Sequence, residues 1–305
     1  MQTTLKQPFK LTGKGLHSGA PARLRVMPAS AEYGIWFRRL DVTDADNLIP
    51  ALWDRVNDTQ LCTRIGNDVG VEVSTVEHLM AALAGCGVHN ALIEVDGPEV
   101  PIMDGSSDAF VAAILKAGVQ ELSAPVRAIR VLREVSVEQD GVKARLLPSD
   151  EVEISFAIDF DEAAIGQQSK SLNMANGAFV RELSDCRTFC RRRDVEMMQS
   201  VGLAQGGDLG NAIVVDGGEV LNPEGFRHDD ECVRHKMLDA LGDLALAGGP
   251  VIARYEGTKA GHAITNLLLR ELFSHSDAFE MIECSAAMTD RLPGAHIKPT
   301  DFARS

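Results

Sequence analysis

An α+β fold in two domains is what the sequence of this 305-residue chain predicts. Strand-like segments precede helix-like ones, and after Ser123-Ala124-Pro125 the same order begins again. The length suffices for two hydrophobic cores of ordinary size, and the boundaries expected are 1–123 and 126–305. The composition, 45% hydrophobic, 24% charged and 5% aromatic, is that of a globular protein.

Ala22–Met27 and Gly34–Arg38 alternate as strands do, punctuated by Pro28 and Gly34. A helix is expected over Ser74–Ala84, where Ser74 and Glu77 have the spacing of a capping box. A strand at Ala91–Val95, a turn through Gly97-Pro98 and a helix over Asp108–Ala117 follow. Beyond the linker, strands are expected at Ile129–Val137 and Val152–Phe160, with a turn at Asp140-Gly141. Helices are expected near Asp194–Val201, Asp230–Ala247 and Thr265–Leu272.

The net charge of −14 argues against a general nucleic-acid binder, which carries a basic footprint. A local group of Lys or Arg can still receive an anionic small ligand. The N-terminus lacks the apolar run of a secretory signal, and no stretch is long enough to span a bilayer. Cys62, Cys86, Cys186, Cys190, Cys232 and Cys284 form no CxxC pair and read as reduced thiols of a cytoplasmic protein.

His235 and Asp239 stand four apart in the Asp230–Ala247 helix, so they project from one face, a common way for one helix to supply two metal ligands. Asp243 continues that polar stripe, while Val233, Met237, Leu241 and Leu244 form a separate apolar face. A surface His–Asp ion pair has the same spacing. In the earlier helix His78 shares a face with Ala81, Ala82 and Gly85, small residues that admit a close neighbour. It fits an exposed histidine equally well. Gly261-His262 follows a strand-like segment and precedes a helix. Two His and one Asp are a plausible zinc set, but spacing alone does not select them from eight histidines.

Several long motifs together carry a resemblance. Ser74-Thr75-Val76-Glu77-His78-Leu79, Pro101-Ile102-Met103-Asp104-Gly105-Ser106, Arg187-Thr188-Phe189, His235-Lys236-Met237-Leu238-Asp239-Ala240 and Ala260-Gly261-His262 occur in the order found in one family. From about Gly13 to Leu272 the chain resembles the UDP-3-O-acyl-N-acetylglucosamine deacetylases, zinc amidohydrolases of lipid A biosynthesis in Gram-negative bacteria. The resemblance implies two two-layer α/β sandwich domains packed through their helix layers, with the active site between them.

By the same resemblance, His78, His235 and Asp239 are the metal ligands, for zinc or for iron(II), which the same donor set accepts. Glu77 is implied as general base, His262 as general acid, Asp243 as the carboxylate orienting His262, and Thr188 as oxyanion donor. The implied partner is a UDP-linked acylated amino sugar, and the expected assembly is a monomer. Phe160 would stack on uracil beside Asp159, Lys143 and Lys236 would meet the pyrophosphate, and Leu16, Cys62 and Phe189 would touch the substrate. Val195, Ala204 and Val214 would line an acyl passage. Cys190-Arg191-Arg192-Arg193 replaces the Gly and apolar pair of relatives, which implies either an altered acyl-length preference or cations turned to solvent.

Overall fold

A computed structural model describes residues 1–297 and 299–302. It is an α+β structure, and two sheets dominate it. The first has five strands in the order Phe9–Lys14, Pro21–Pro28, Ala91–Val95, Ile35–Arg39, Leu48–Pro50. Its pairing is antiparallel except between Ile35–Arg39 and Ala91–Val95. Along Pro21–Pro28 the alternation buries Ala22, Leu24 and Val26 and turns Arg23 outward, as a sheet covered on one face requires. The second sheet has seven strands. Its central strand, Val251–Thr258, runs parallel to Arg127–Val131 and Val152–Asp159 and antiparallel to Val142–Leu147.

Six helices matter here: α1 (Glu77–Gly85), α2 (Asp108–Ala117), α3 (Ala178–Glu182), α4 (Arg192–Ser200), α5 (Glu231–Ala245) and α6 (His262–Ser274). Leu79, Met80 and Leu83 of α1 and Val233, Met237 and Leu241 of α5 join the side chains of both sheets in one buried cluster. The small residues let these helices come close. A Cβ on Gly242 of α5 would lie 2.1 Å from the Glu77 carbonyl oxygen, and one on Gly85 would meet the Phe179 ring.

Two local expectations need correction. Helix α1 begins at Glu77, and Ser74 and Glu77 form no capping box. The Ser74 N–H donates to Pro98 O, Thr75 has a left-handed φ of 60°, and the Glu77 carboxylate is engaged elsewhere. The run expected as one strand at Ile129–Val137 is two, Arg127–Val131 and Val135–Gln139. Between them Leu132 is 47% exposed, so the chain leaves the sheet there. No helix among the described residues is long and apolar enough to cross a membrane, and all six cysteines are free.

Candidate functional site

Helix α5 carries His235, Asp239 and Asp243 at successive turns, and all three are buried. Helix α1 brings Glu77 and His78 in its first turn from the side of the other sheet. His235 Nε2 lies 3.3 Å and His78 Nε2 3.5 Å from Asp239 Oδ1. The two imidazoles meet edge to face with ring centres 5.0 Å apart. One ligand atom from each of His78, His235 and Asp239 falls within 4.8 Å of the others, a group that could hold a metal ion.

The chemistry of these donors fits a cation. His235 Nδ1 is 3.0 Å from the Cys186 carbonyl oxygen, so an N–H there donates outward and leaves the Nε2 lone pair facing the cluster. Burial pushes the His235 imidazole down to about 3, which keeps it neutral and able to act as a ligand. Burial alone would raise the Asp239 carboxyl, but His235 and the Lys236 ammonium hold it well below the usual carboxylate range. Lys236 Nζ donates to Asp239 Oδ2 at 2.6 Å, while Oδ1 is buried with no hydrogen-bond partner among the described residues. A buried carboxylate oxygen left unpaired against two imidazole nitrogens is costly unless a cation bridges them.

Next to this triad lies a relay of proton-handling groups. His262 opens α6, and its Nδ1 is 2.8 Å from Asp243 Oδ2. Its Nε2 is 4.0 Å from Glu77 Oε1. Burial works against the imidazolium, but the carboxylates of Asp243 and Glu77 outweigh it and raise His262 to about 9. Glu77, 3% exposed, is raised above an ordinary glutamate, chiefly by burial. A Cβ at Gly261 would meet no atom of the described residues within 4 Å, so their packing does not require that glycine.

Thr63, which the sequence reading passed over, ties the relay together. Its backbone N–H donates to Glu77 Oε2 at 2.9 Å and its hydroxyl donates to Asp243 Oδ1 at 2.6 Å. It is 1% exposed and sits in the loop between strands Val56–Asp58 and Arg64–Gly66. Its one sequence signal was its place beside Cys62. That thiol is buried too, and burial together with the nearby Glu77 carboxylate pushes it up to about 12.

The segment Cys186–Phe189 lies along α5. Arg187 anchors it, donating through Nε at 2.9 Å, Nη2 at 3.1 Å and its backbone N–H at 3.0 Å to the buried carboxylate of Glu231. Thr188 is held between Gly105 and Ile213 by backbone hydrogen bonds of 2.8 Å. Phe189 sits edge-on to His235 at 6.3 Å and to Phe160 at 5.5 Å, so three rings lead away from the triad. Lys143 and Asp159 are farther out, on strands flanking Val251–Thr258, where Lys143 faces Glu138 at 3.8 Å and Asp159 accepts from Lys259 at 2.8 Å.

The remaining residues expected at the substrate lie on other segments. The Leu16 carbonyl accepts from Gly206 N–H at 2.9 Å, beside the buried Ala204. Val214 pairs with Cys190 in the parallel strands Phe189–Arg191 and Ile213–Asp216, and Val195 is half-buried on α4 just beyond. The three cations after Cys190 all face carboxylates. Arg191 clamps Asp194 in two hydrogen bonds, Arg192 reaches Asp216 at 3.2 Å, and Arg193 reaches Glu162 at 2.9 Å.

Residues 2–274 match the family described as UDP-3-O-acyl N-acetylglycosamine deacetylase. Among similar proteins, the UDP-3-O-acyl-N-acetylglucosamine deacetylase of Phenylobacterium zucineum is 49% identical over 92% of this chain and 96% of its own length. That of Shewanella frigidimarina is 43% identical over 96% of this chain and 98% of its own length. The enzyme of the same name from Haemophilus influenzae is 44% identical over 98% of this chain and 97% of its own length. On a match that spans nine-tenths or more of each sequence, this chain belongs to the UDP-3-O-acyl-N-acetylglucosamine deacetylase family.

Proposed function

We propose that this chain hydrolyses the N-acetyl group of UDP-3-O-acyl-N-acetylglucosamine, giving acetate and the free 2-amino sugar nucleotide, in the cytoplasm as a step of lipid A synthesis. The observation that carries the reading is the meeting of His78, His235 and Asp239 beside a buried base and a buried histidine–aspartate pair. His78, His235 and Asp239 would hold zinc, or iron(II), which lowers the pKa of water and polarises an amide carbonyl when bound. We read residues 1–123 and 126–305 as two domains, each lending one helix to the site. We read the chain as a monomer that supplies all of these groups itself.

The chain's own residues divide the remaining work. Glu77 takes one proton from the attacking water, whose oxygen bonds to the acetyl carbon. The Thr188 hydroxyl donates to the oxygen on which negative charge develops. As the C–N bond breaks, His262 gives its Nε2 proton to the departing amine, too basic to leave as an anion, while Asp243 orients the ring through Nδ1. The row of Phe189 and Phe160 supports a nucleotide path in which uracil stacks on Phe160 beside Asp159, and Lys143 and Lys236 meet the pyrophosphate. Leu16, Cys62 and Phe189 would touch the sugar and its chain, with the acyl group near Val195, Ala204 and Val214.

Acetate release from UDP-N-acetylglucosamine with and without the 3-O-acyl chain tests this. The acylated substrate is expected to be better in kcat/KM by on the order of 10²-fold or more, because remote binding is used at the reacting centre. A chelator should abolish turnover. Equal rates on both substrates would point to a deacylase of another N-acylated sugar nucleotide, and chelator-insensitive turnover would defeat the metal assignment.

The pH profile has a defined sign. His262 must stay protonated to act as acid, so kcat should fall as pH rises through about 9, or somewhat lower once a dication sits nearby. Glu77 must be ionised, so kcat should also fall at acid pH, on a limb that burial raises and a nearby dication lowers. Since its native value is raised, His262 also contributes stability present below about 6.5 and lost as pH passes about 9. A flat profile to high pH would remove His262 from the acid role.

Thr63→Val should lower kcat about tenfold or more with little change in KM, because it removes the hydroxyl on Asp243 and keeps the backbone N–H on Glu77. Thr63→Ser should restore most of the rate. In an Asp243→Asn background the Val substitution should add almost nothing, whereas additive losses would separate Thr63 from the relay.

A further inference from the structure

A second cluster of ligating atoms lies behind the first and takes no part in the reaction described. Asp185 and Cys186 are buried at 4% and 0% exposure, and His228 reaches them from the loop before α5. His228 Nε2 stands 3.0 Å from both Asp185 oxygens, within hydrogen-bond reach of either. Cys186 Sγ is 3.7 Å from Asp185 Oδ1. One sulfur, one nitrogen and one oxygen atom thus lie within 4.8 Å of one another. With metal–ligand bonds of about 2.0–2.3 Å, neighbouring ligands of a tetrahedral zinc ion stand about 3.3–3.8 Å apart, within a few tenths of an ångström of the His228–Asp185 and Cys186–Asp185 separations.

We propose that Asp185, Cys186 and His228 form a second divalent-metal site, suited by its mixed sulfur, nitrogen and oxygen donors to a borderline-soft ion such as zinc.

The surroundings suit a cation despite three arginines close by, because each guanidinium already faces carboxylates of its own. Arg187 faces Glu231, Arg227 faces Asp104, and Arg234 faces Glu182 and Asp230. The side chain of His228 is 28% exposed, which gives an ion a way in from solvent. Binding converts the Cys186 thiol to a thiolate and releases one proton to water. Three protein ligands leave a position for water, as they do in the first cluster. The site also touches the first, since the Cys186 carbonyl is the oxygen that holds His235 Nδ1.

The site does not depend on the proposed reaction, and cobalt(II) binding separates the two. Titrating the metal-stripped full chain with cobalt(II) should show two equivalents bound, one of them with a thiolate-to-cobalt charge-transfer band. Cys186→Ser, nearly isosteric, should lose that band and one equivalent, and His228→Gln, at a partly exposed position, should lose the same equivalent. A His78→Ala/Asp239→Ala double variant should keep the band while losing the other equivalent. Binding of one equivalent only, or a band that survives Cys186→Ser and disappears with Cys62→Ser, would overturn the proposal.

Discussion

Replacing Glu77 with Gln should lower kcat by roughly 10²- to 10⁴-fold, the usual contribution of a positioned general base, while metal content and KM stay close to those of the parent. The expectation rests on how little else the substitution disturbs. Glu77 is 3% exposed and packed in the first turn of α1, and Gln has the same size. The Gln amide oxygen can still accept the Thr63 N–H that Glu77 Oε2 accepts at 2.9 Å. What disappears is the carboxylate on the side facing His262, 4.0 Å from its Nε2. Loss of that charge also withdraws one of the three carboxylates that raise His262, so the alkaline limb should move to lower pH. Two readouts therefore change together, rate and pH limb, while a third, bound metal, does not. Turnover near the parent's with the metal in place would remove Glu77 from the base role. Loss of the metal would instead mean that the carboxylate supports His78.

How far the sequence shows the site depends on how local each relation is. His235 and Asp239 are separated by one helical turn, and the 3.6-residue period alone puts them on one face. The strands at Pro21–Pro28 and Ala91–Val95 and the helix at Asp108–Ala117 are likewise visible in their own periodicity. The meeting of His78 with that pair is not local, because it joins helices that belong to different sheets, and only the resemblance to a family suggested it. Thr63 was missed for a related reason. It sits in a loop with no period, and its two partners are 14 and 180 residues away in sequence. At Ser74 the local rule gave the wrong answer. A capping box is the ordinary use of Ser and Glu at that spacing, but here Thr75 turns with a positive φ and Glu77 faces the cluster. The local preference yielded where the buried carboxylate had other partners.

Gly242→Ala should be the most damaging substitution at a residue that carries no chemistry. Gly242 lies between Asp239 and Asp243 on the face of α5 that α1 crosses. An added Cβ would stand 2.1 Å from Glu77 O, 2.8 Å from Glu77 C and 3.1 Å from Glu77 Cα. These are backbone atoms, so no side-chain rotation relieves the clash and the helices themselves must separate. Overpacking of this kind costs about 1–3 kcal/mol and occasionally more. Against it stands the better helix propensity of Ala over Gly, about 1 kcal/mol, so the net effect is destabilising. The functional loss should exceed the stability loss. Separation of α1 from α5 widens the 3.5 Å gap between His78 and Asp239 and shifts Glu77 with it, and a misplacement of about 1 Å can cost on the order of 10²-fold in rate. Gly218→Ala is the control, because a Cβ there meets nothing within 4 Å. The measurements are thermal unfolding, bound metal and kcat for both variants. The expected pattern is a lower Tm, weaker metal binding and a kcat reduced about 10²-fold for Gly242→Ala alone, with excess metal restoring binding but not the full rate. Parent-like kinetics in a folded Gly242→Ala protein would show that the close contact of α1 and α5 does not set the geometry of the site.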